Sequence, residues 1–274
     1  MIETTAGAVL RAAEFIASVG IFISTAELLR NWRDMRPDGI YAWRVLRSRP
    51  MTFRYPRLTR PLDVLLDLPV FPVVLAIRLA AISLLFLPAL LRETEIAALA
   101  IVVATTFLIN YRHVYGNDGS DQMSSLIFGA ILLVRIGPGD PRLAAAGAWF
   151  LALQSCASYS IAGIAKVRGQ KWINGTALFE IFNTESYGLR AAASFLSQHA
   201  MVARAMTWSV VAIECTFPLA ILGGPKVCLL YLAWGVAFHT ANATIMGLNS
   251  FLWAFLATYP AIFWCATKTF SLWR

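Results

Sequence analysis

Long apolar runs alternate with short polar breaks along the whole chain. The runs cover 8–29, 68–91, 94–110, 122–136, 143–164, 205–223, 226–246 and 249–267. Each approaches the ~20 residues that an α-helix needs to cross the hydrocarbon core of a bilayer. The third and fourth are the shortest, and a tilted or partly re-entrant path is expected for them. Alternating segments of about 10 residues, the mark of membrane barrel strands, are absent. The pattern predicts an all-α fold, a polytopic membrane helix bundle of about eight transmembrane helices plus interfacial helices.

The breaks carry turn chemistry. Gly223-Gly224-Pro225-Lys226 and Gly247-Leu248-Asn249 predict tight helical hairpins, and Gly137, Pro138, Gly139 and Pro141 mark another turn. Only 30–61 and 165–204 are long. The first holds nine arginines against Asp34 and Asp38, interleaved with Tyr41, Trp43, Phe53 and Tyr55. It is expected to be partly helical at 39–48, broken by Pro50 and Pro56. Between two apolar runs such a segment reads as facing lipid headgroups, and a nucleic-acid surface is not expected. With no internal repeat of fixed period, an inverted-repeat transporter is disfavoured.

Composition sharpens this. The chain is 58% hydrophobic and 14% charged, with mean hydropathy +0.64. Soluble domains are nearer half apolar and a quarter charged, so residues 1–274 are read as a single transmembrane domain. The net charge of +8 points to anionic headgroups. Glu3 and the lack of an N-terminal basic cluster do not fit a signal peptide, so insertion through the spans themselves is expected. Cys156, Cys215, Cys228 and Cys265 lie in apolar runs without metal spacing and read as small buried hydrophobes. No metal centre is expected. With eight spans, 30–61, 111–121, 165–204 and 247–248 share one face carrying 15 Lys or Arg against six on the other. The positive-inside rule makes that face cytoplasmic.

Ionisable groups at membrane depth are functional candidates. The stretch from Cys156 to Tyr187 ends an apolar run at Lys166, passes through a basic turn with Trp172, and is expected to re-enter as a short helix near Asn174. Tyr159 lies two turns before Lys166. Desolvation at such a position disfavours an ammonium and makes a free amine accessible as a base. The competing reading has Lys166, Arg168 and Lys171 snorkelling at the interface. Glu214 sits mid-run with Pro218 four residues on; it either bonds a neighbouring helix or serves the chemistry. His239 and Asn242 are three apart on one helix face. The loop 110–122 gathers His113, Asn117, Asp118 and Asp121, with Ser120 or Asp121 expected to cap the following helix. There is no GxSxG, HExxH, P-loop or CxxC motif.

Three elements in order, SYSIAGIAKVRGQKWINGTALFEIF, AIECTFPLAIL and FHTANATIMGLNSFLWAFLATYPAIFW, resemble the HTTM family, the transmembrane domain family that includes vitamin K-dependent γ-carboxylase. The likeness covers 156–267 well and 70–267 loosely. It implies a helix bundle with an internal cavity. A reduced quinone of the vitamin K hydroquinone kind would act there with oxygen and carbon dioxide. It places Lys166 at the position of the carboxylase's reactive lysine, His239 at its "FH" histidine and Glu214 at its intramembrane acid. Where the carboxylase has Asn-Asn-His, this chain reads Gly116-Asn117-Asp118-Gly119. The likeness does not extend to that enzyme's large extracytoplasmic C-terminal region. The carboxylase's active face is lumenal, the reverse of what the arginine count gives. Short bacterial members include a protein needed to mature a peptide toxin.

The resulting expectation is a multi-pass enzyme of a bacterial inner membrane. Lys166 and His239 are its catalytic candidates; His113, Asn117, Asp118, Tyr159, Trp172, Glu214 and Asn242 shape its pocket. Its substrate would be a small peptide, an acidic molecule or a lipid-soluble, quinol-like one. A non-catalytic protein binding lipid, quinone or a partner protein, or a small-molecule transporter, is the alternative.

Overall fold

The computed structural model describes residues 5–39, 41–48, 56–113 and 118–272. Among them 82% is helix and there is no strand. In order the helices are α1 (Ala6–Arg30), α2 (Trp43–Leu46), α3 (Pro56–Leu66), α4 (Val70–Leu85), α5 (Arg92–Arg112), α6 (Gly119–Ile136), α7 (Pro141–Val167), α8 (Gln170–Ile173), α9 (Ala177–Phe182), α10 (Arg190–Gln198), α11 (Ala200–Thr216), α12 (Leu219–Leu222), α13 (Gly224–Met246), α14 (Asn249–Leu256) and α15 (Tyr259–Leu272).

Five helical stretches are long and apolar enough to cross a membrane: α1, α5, α7, α13 and the α14–α15 pair over 249–271. A sixth is the α3–α4 pair, bent by 71°. The chain therefore has the architecture of a multi-pass membrane protein. Of the eight expected spans, α6 has 18 residues and includes Asp121 and Arg135, and α11 has 17, so neither meets that length and apolarity. The third run is longer than expected. It forms a continuous 21-residue helix, because Arg92, Glu93 and Glu95 supply its first turn. The second run is helical only over Val70–Leu85, short of its expected end at 91, and the last splits before Tyr259-Pro260, where a proline without an amide hydrogen restarts the helix. In the interfacial segment a short 3-10 turn, Trp32–Met35, the turn Trp43–Leu46 and the start of α3 are helical, and Pro56, expected as a break, opens α3; Pro50, Phe53 and Tyr55 lie outside the described residues.

The chain forms two compact units, residues 14–140 and residues 1–13 with 141–274. In the first, Met35, Trp43, Leu66, Phe71, Leu75 and Ile109 make a core. Several of its polar groups are paired. Asp63 takes a hydrogen bond from Trp43 Nε1 at 2.8 Å and another from Arg47 Nη2 at 2.7 Å, tying α2 to α3. Arg112, 1% exposed, donates from Nε to the Leu66 carbonyl at 3.0 Å and from Nη2 to the Tyr41 carbonyl at 2.7 Å. Its guanidinium also covers the Phe71 ring at 4.5 Å. Arg135 joins two buried carboxylates, Glu95 at 2.8 Å and Glu14 at 3.5 Å. Arg92 closes the end of α6 by donating to the carbonyls of Arg135, Ile136 and Gly137.

In the second unit, α7 runs along α11 and α15, and α13 packs on α12, α14 and α15. Phe182, Ala193, Leu196 and Ala203 form a smaller core where α9, α10 and α11 meet. The connection after Lys166 differs from the expected helix starting near Asn174. A single turn, Gln170–Ile173, comes first. Gly175 then adopts φ 75°, and the helix resumes only at Ala177. Gly175 is needed twice over, since a Cβ there would also lie 2.5 Å from Arg204 Cγ. An exposed ion pair between Lys171 and Glu180 spans this turn, and the Lys171 ammonium holds the Glu180 carboxyl below its usual range.

Candidate functional site

A cavity of about 210 Å³ lies inside the second unit, between α7, α11, α13 and α14. Ser158, Tyr159, Ala162 and Lys166 line it from α7, Glu214 from α11, and Phe238, His239 and Asn242 from α13. Leu248, Phe251 and Phe255 complete the wall. Helical spacing explains the first group: 159, 162 and 166 fall on one face of α7, and 238, 239 and 242 on one face of α13.

Lys166 stands in the last turn of α7, where the partial negative charge of a helix C-terminus favours a cation. Its Nζ donates to Glu214 Oε2 at 2.6 Å, a charge-assisted bond between side chains 21% and 4% exposed. Trp172 covers the same ammonium, 5.2 Å from ring centroid to Nζ. The pair has two forms, ammonium with carboxylate and amine with carboxylic acid. They differ by the position of one proton along a 2.6 Å line.

This pair depends on a close helix crossing. A Cβ at Gly163 would lie 2.6 Å from the Cys215 amide nitrogen and 2.9 Å from the Glu214 carbonyl carbon. Only a hydrogen fits there, and it lets α7 and α11 approach closely enough for the ion pair to form. Gly163→Val is expected to cost about 3 kcal/mol, the upper range for overpacking a tight contact. The check is the thermal midpoint in detergent; an unchanged midpoint would show that the two helices separate freely.

The other polar group is a chain of three. The Tyr159 hydroxyl lies 2.7 Å from His239 Nε2 and 2.8 Å from the Tyr259 hydroxyl. Phe217 stacks on Tyr159 at 3.8 Å, and Phe255 stacks on His239 at 4.7 Å. A Cβ at Gly235 would overlap the Tyr259 hydroxyl, so glycine makes the room for this chain. His239 is 2% exposed, and its Nδ1 has no hydrogen-bond partner. One turn along, Asn242 faces the same cavity. Its end of the helix is closed by Gly247 at φ 71°, and the Leu248 amide donates back to the Asn242 carbonyl at 3.1 Å.

Thus Lys166, Tyr159, Glu214, His239 and Asn242 come together, with Trp172 over the lysine. His113 and Asp118 do not line this cavity and belong to the 14–140 unit. His113 Nε2 is 3.4 Å from Arg112 Nη1. Asp118, and not Ser120 or Asp121, caps α6: its carboxylate accepts from the amides of Ser120 at 2.8 Å and Asp121 at 3.3 Å. Asp121 returns the bond from the Asp118 amide at 3.2 Å, which completes a capping box. Asn117 lies outside the described residues. Tyr259 and the phenylalanine walls were not anticipated. Gly163, three before Lys166, and Gly235, four before His239, were the available signals. Among the described residues no group of three or more His, Cys, Asp or Glu is placed to hold a metal.

Comparison of the chain with protein-family models, with curated proteins and with solved structures yields no match.

Proposed function

We propose that the chain is an integral membrane enzyme in which Lys166 is a base acting on a small, lipid-soluble, quinol-like molecule or a small peptide. One observation carries the reading: the Lys166–Glu214 pair opens into the same aromatic-walled cavity as Tyr159, His239 and Asn242. When the proton between them resides on Glu214, Lys166 is a neutral amine, able to take a proton from a substrate O–H or C–H. Glu214 then serves as its proton store. Apolar cavities near 150 Å³ hold a benzene ring, and 210 Å³ accommodates a one- or two-ring head with its isoprenoid tail outside.

The resemblance to the HTTM family supplies the finer version of this reading. A reduced quinone would be held by the Phe238, Phe251 and Phe255 walls and the His239 and Asn242 polar groups. Oxygen and carbon dioxide would be co-substrates, in carboxylase- or epoxidase-like chemistry or in peptide maturation. Eight spans, with α6 and α11–α12 as the two additional crossings, and a bacterial inner membrane belong to the same reading.

A second reading is favoured by the completeness of the ion pair. Lys166, bonded to Glu214 and covered by Trp172, also has the form of a pin between α7 and α11 in a protein that binds lipid, quinone or a partner without chemistry. The experiment that separates them is mass spectrometry of lipid extracts from purified wild type and Lys166→Ala. The enzyme reading expects a quinone or other isoprenoid to co-purify with wild type and to be lost or left unmodified in the variant. Retention of bulk lipid alone, with identical behaviour of the variant in cells, would remove Lys166 as a base.

A further inference from the structure

The bend between α3 and α4 borders a second recess, within the 14–140 unit. It is an open groove of about 410 Å³. Leu29, at the end of α1, and Trp32, in the turn after it, form one side; Leu68, Pro69 and Pro72 form the other, around the bend. The lining is apolar except for the Trp32 indole nitrogen. Its surroundings are those of the boundary between acyl chains and headgroups. The α3–α4 pair is long and apolar enough to cross a membrane, and α3 leaves the axis of α4 at 71°. A helix inclined so steeply to a spanning one runs along the bilayer surface. Val64 and Leu65 are exposed on α3 together with Arg60, the mixture of an interfacial helix. Trp32 is 39% exposed, and tryptophan is enriched at the same level of a membrane.

We infer that this groove seats one acyl chain of an anionic phospholipid, whose phosphate is held by Arg36. Hydrocarbon alone selects nothing here, because a lipid tail that leaves the bilayer for the groove exchanges one apolar surround for another. Shape holds the tail, and charge at the rim decides which lipid stays. The Arg36 guanidinium covers the Trp32 ring at 5.4 Å, so it stands over one wall of the groove. Arg36 enters no ion pair among the described residues. Its planar fork can meet two phosphate oxygens at once. Arg30 and Arg33, both exposed, precede it, in a stretch, 30–61, with nine arginines against Asp34 and Asp38. The acid next to the groove is engaged elsewhere: Asp67 accepts from the Leu68 amide at 2.8 Å and is attracted by the charge of Arg112. Facing headgroups in bulk is a property of the whole basic segment; this seat is one lipid in one place. It does not depend on the chemistry of Lys166.

The test uses the full chain in detergent micelles doped with equal amounts of phosphatidylglycerol and phosphatidylcholine of identical acyl chains. Native mass spectrometry counts the lipids that stay bound. The expected result is a single retained lipid, with phosphatidylglycerol favoured about fivefold, the attraction of one arginine for an anionic lipid. Arg36→Gln is expected to remove that preference. Arg44→Gln, which deletes the same charge from α2, is expected to keep it. Leu29→Trp fills the groove, leaves every charge in place and is expected to lose the retained lipid. A second readout needs no added bulk: phosphatidylglycerol with a photoactivatable group in its acyl chain is expected to crosslink wild type at Leu29, Trp32, Leu68 or Pro72. Equal retention of the two lipids, equal losses from Arg36→Gln and Arg44→Gln, or crosslinks spread evenly over the apolar helices overturns the seat. Glycerol phosphate that competes as well as the whole lipid would mean an anion site without a tail. A lipid-free dimer dispersed by Leu29→Trp would mean that a second copy fills the groove. Either result overturns it as well.

Discussion

Glu214→Leu, with Lys166 retained, is expected to lower stability by about 3 kcal/mol. The change leaves an ammonium beside an apolar cavity with its one carboxylate removed. Breaking a buried ion pair from one side typically costs 3–5 kcal/mol, and the lower end applies because the lysine side chain keeps 21% exposure. Lys166→Met combined with Glu214→Leu is expected to recover most of that loss, since well-packed apolar replacements of a buried pair are often neutral. Thermal or denaturant midpoints of wild type, both single variants and the double variant in detergent form the cycle that checks this. Equal midpoints for the single and double variants would mean that the charges are not coupled in the folded protein. The double variant also separates the two functional readings. A pin is restored by it; a base is not.

Arg112→Met is expected to cost a similar amount, about 3 kcal/mol, by a different route. The guanidinium answers two backbone carbonyls at once, Leu66 at the end of α3 and Tyr41 in the preceding segment. Methionine fills the volume over Phe71 and leaves both oxygens without those donors, at about 1–3 kcal/mol each. Arg112→Lys is expected to recover less than half, because a compact ammonium cannot span both carbonyls and cover the ring together. Thermal midpoints, with protease cleavage near residues 41–66 as a local readout, check the ranking. A lysine variant as stable as wild type would show that charge alone, not the planar fork, holds this segment.

The helical membrane character was readable because backbone groups in hydrocarbon demand long, uninterrupted apolar runs. The number of crossings was less readable, because hydropathy does not register where a helix breaks. Pro260 divides a run that looks continuous, while α5 extends past its apolar limits through charged residues that suit a helix end. Lys166, Glu214, His239 and Asn242 stood out because polar groups in apolar runs are costly and need partners. Tyr259 did not, since a tyrosine in such a run looks like ordinary packing until its hydroxyl is placed. Asp118 shows the other side of this: a polar turn can spend a side chain on its own backbone, as Asp118 does in capping α6.

The closure of α13 at Gly247 has a thermodynamic consequence. Because the Asn242 carbonyl is already engaged by the Leu248 amide and the turn is locked in a left-handed glycine, this rim of the cavity is ordered before any ligand arrives. Association then forfeits little backbone entropy at this end, and the binding free energy is not spent on folding a loop. Gly247→Ala strains that conformation. Its penalty would surface chiefly as weaker association, through an entropy the wild-type chain has settled during folding.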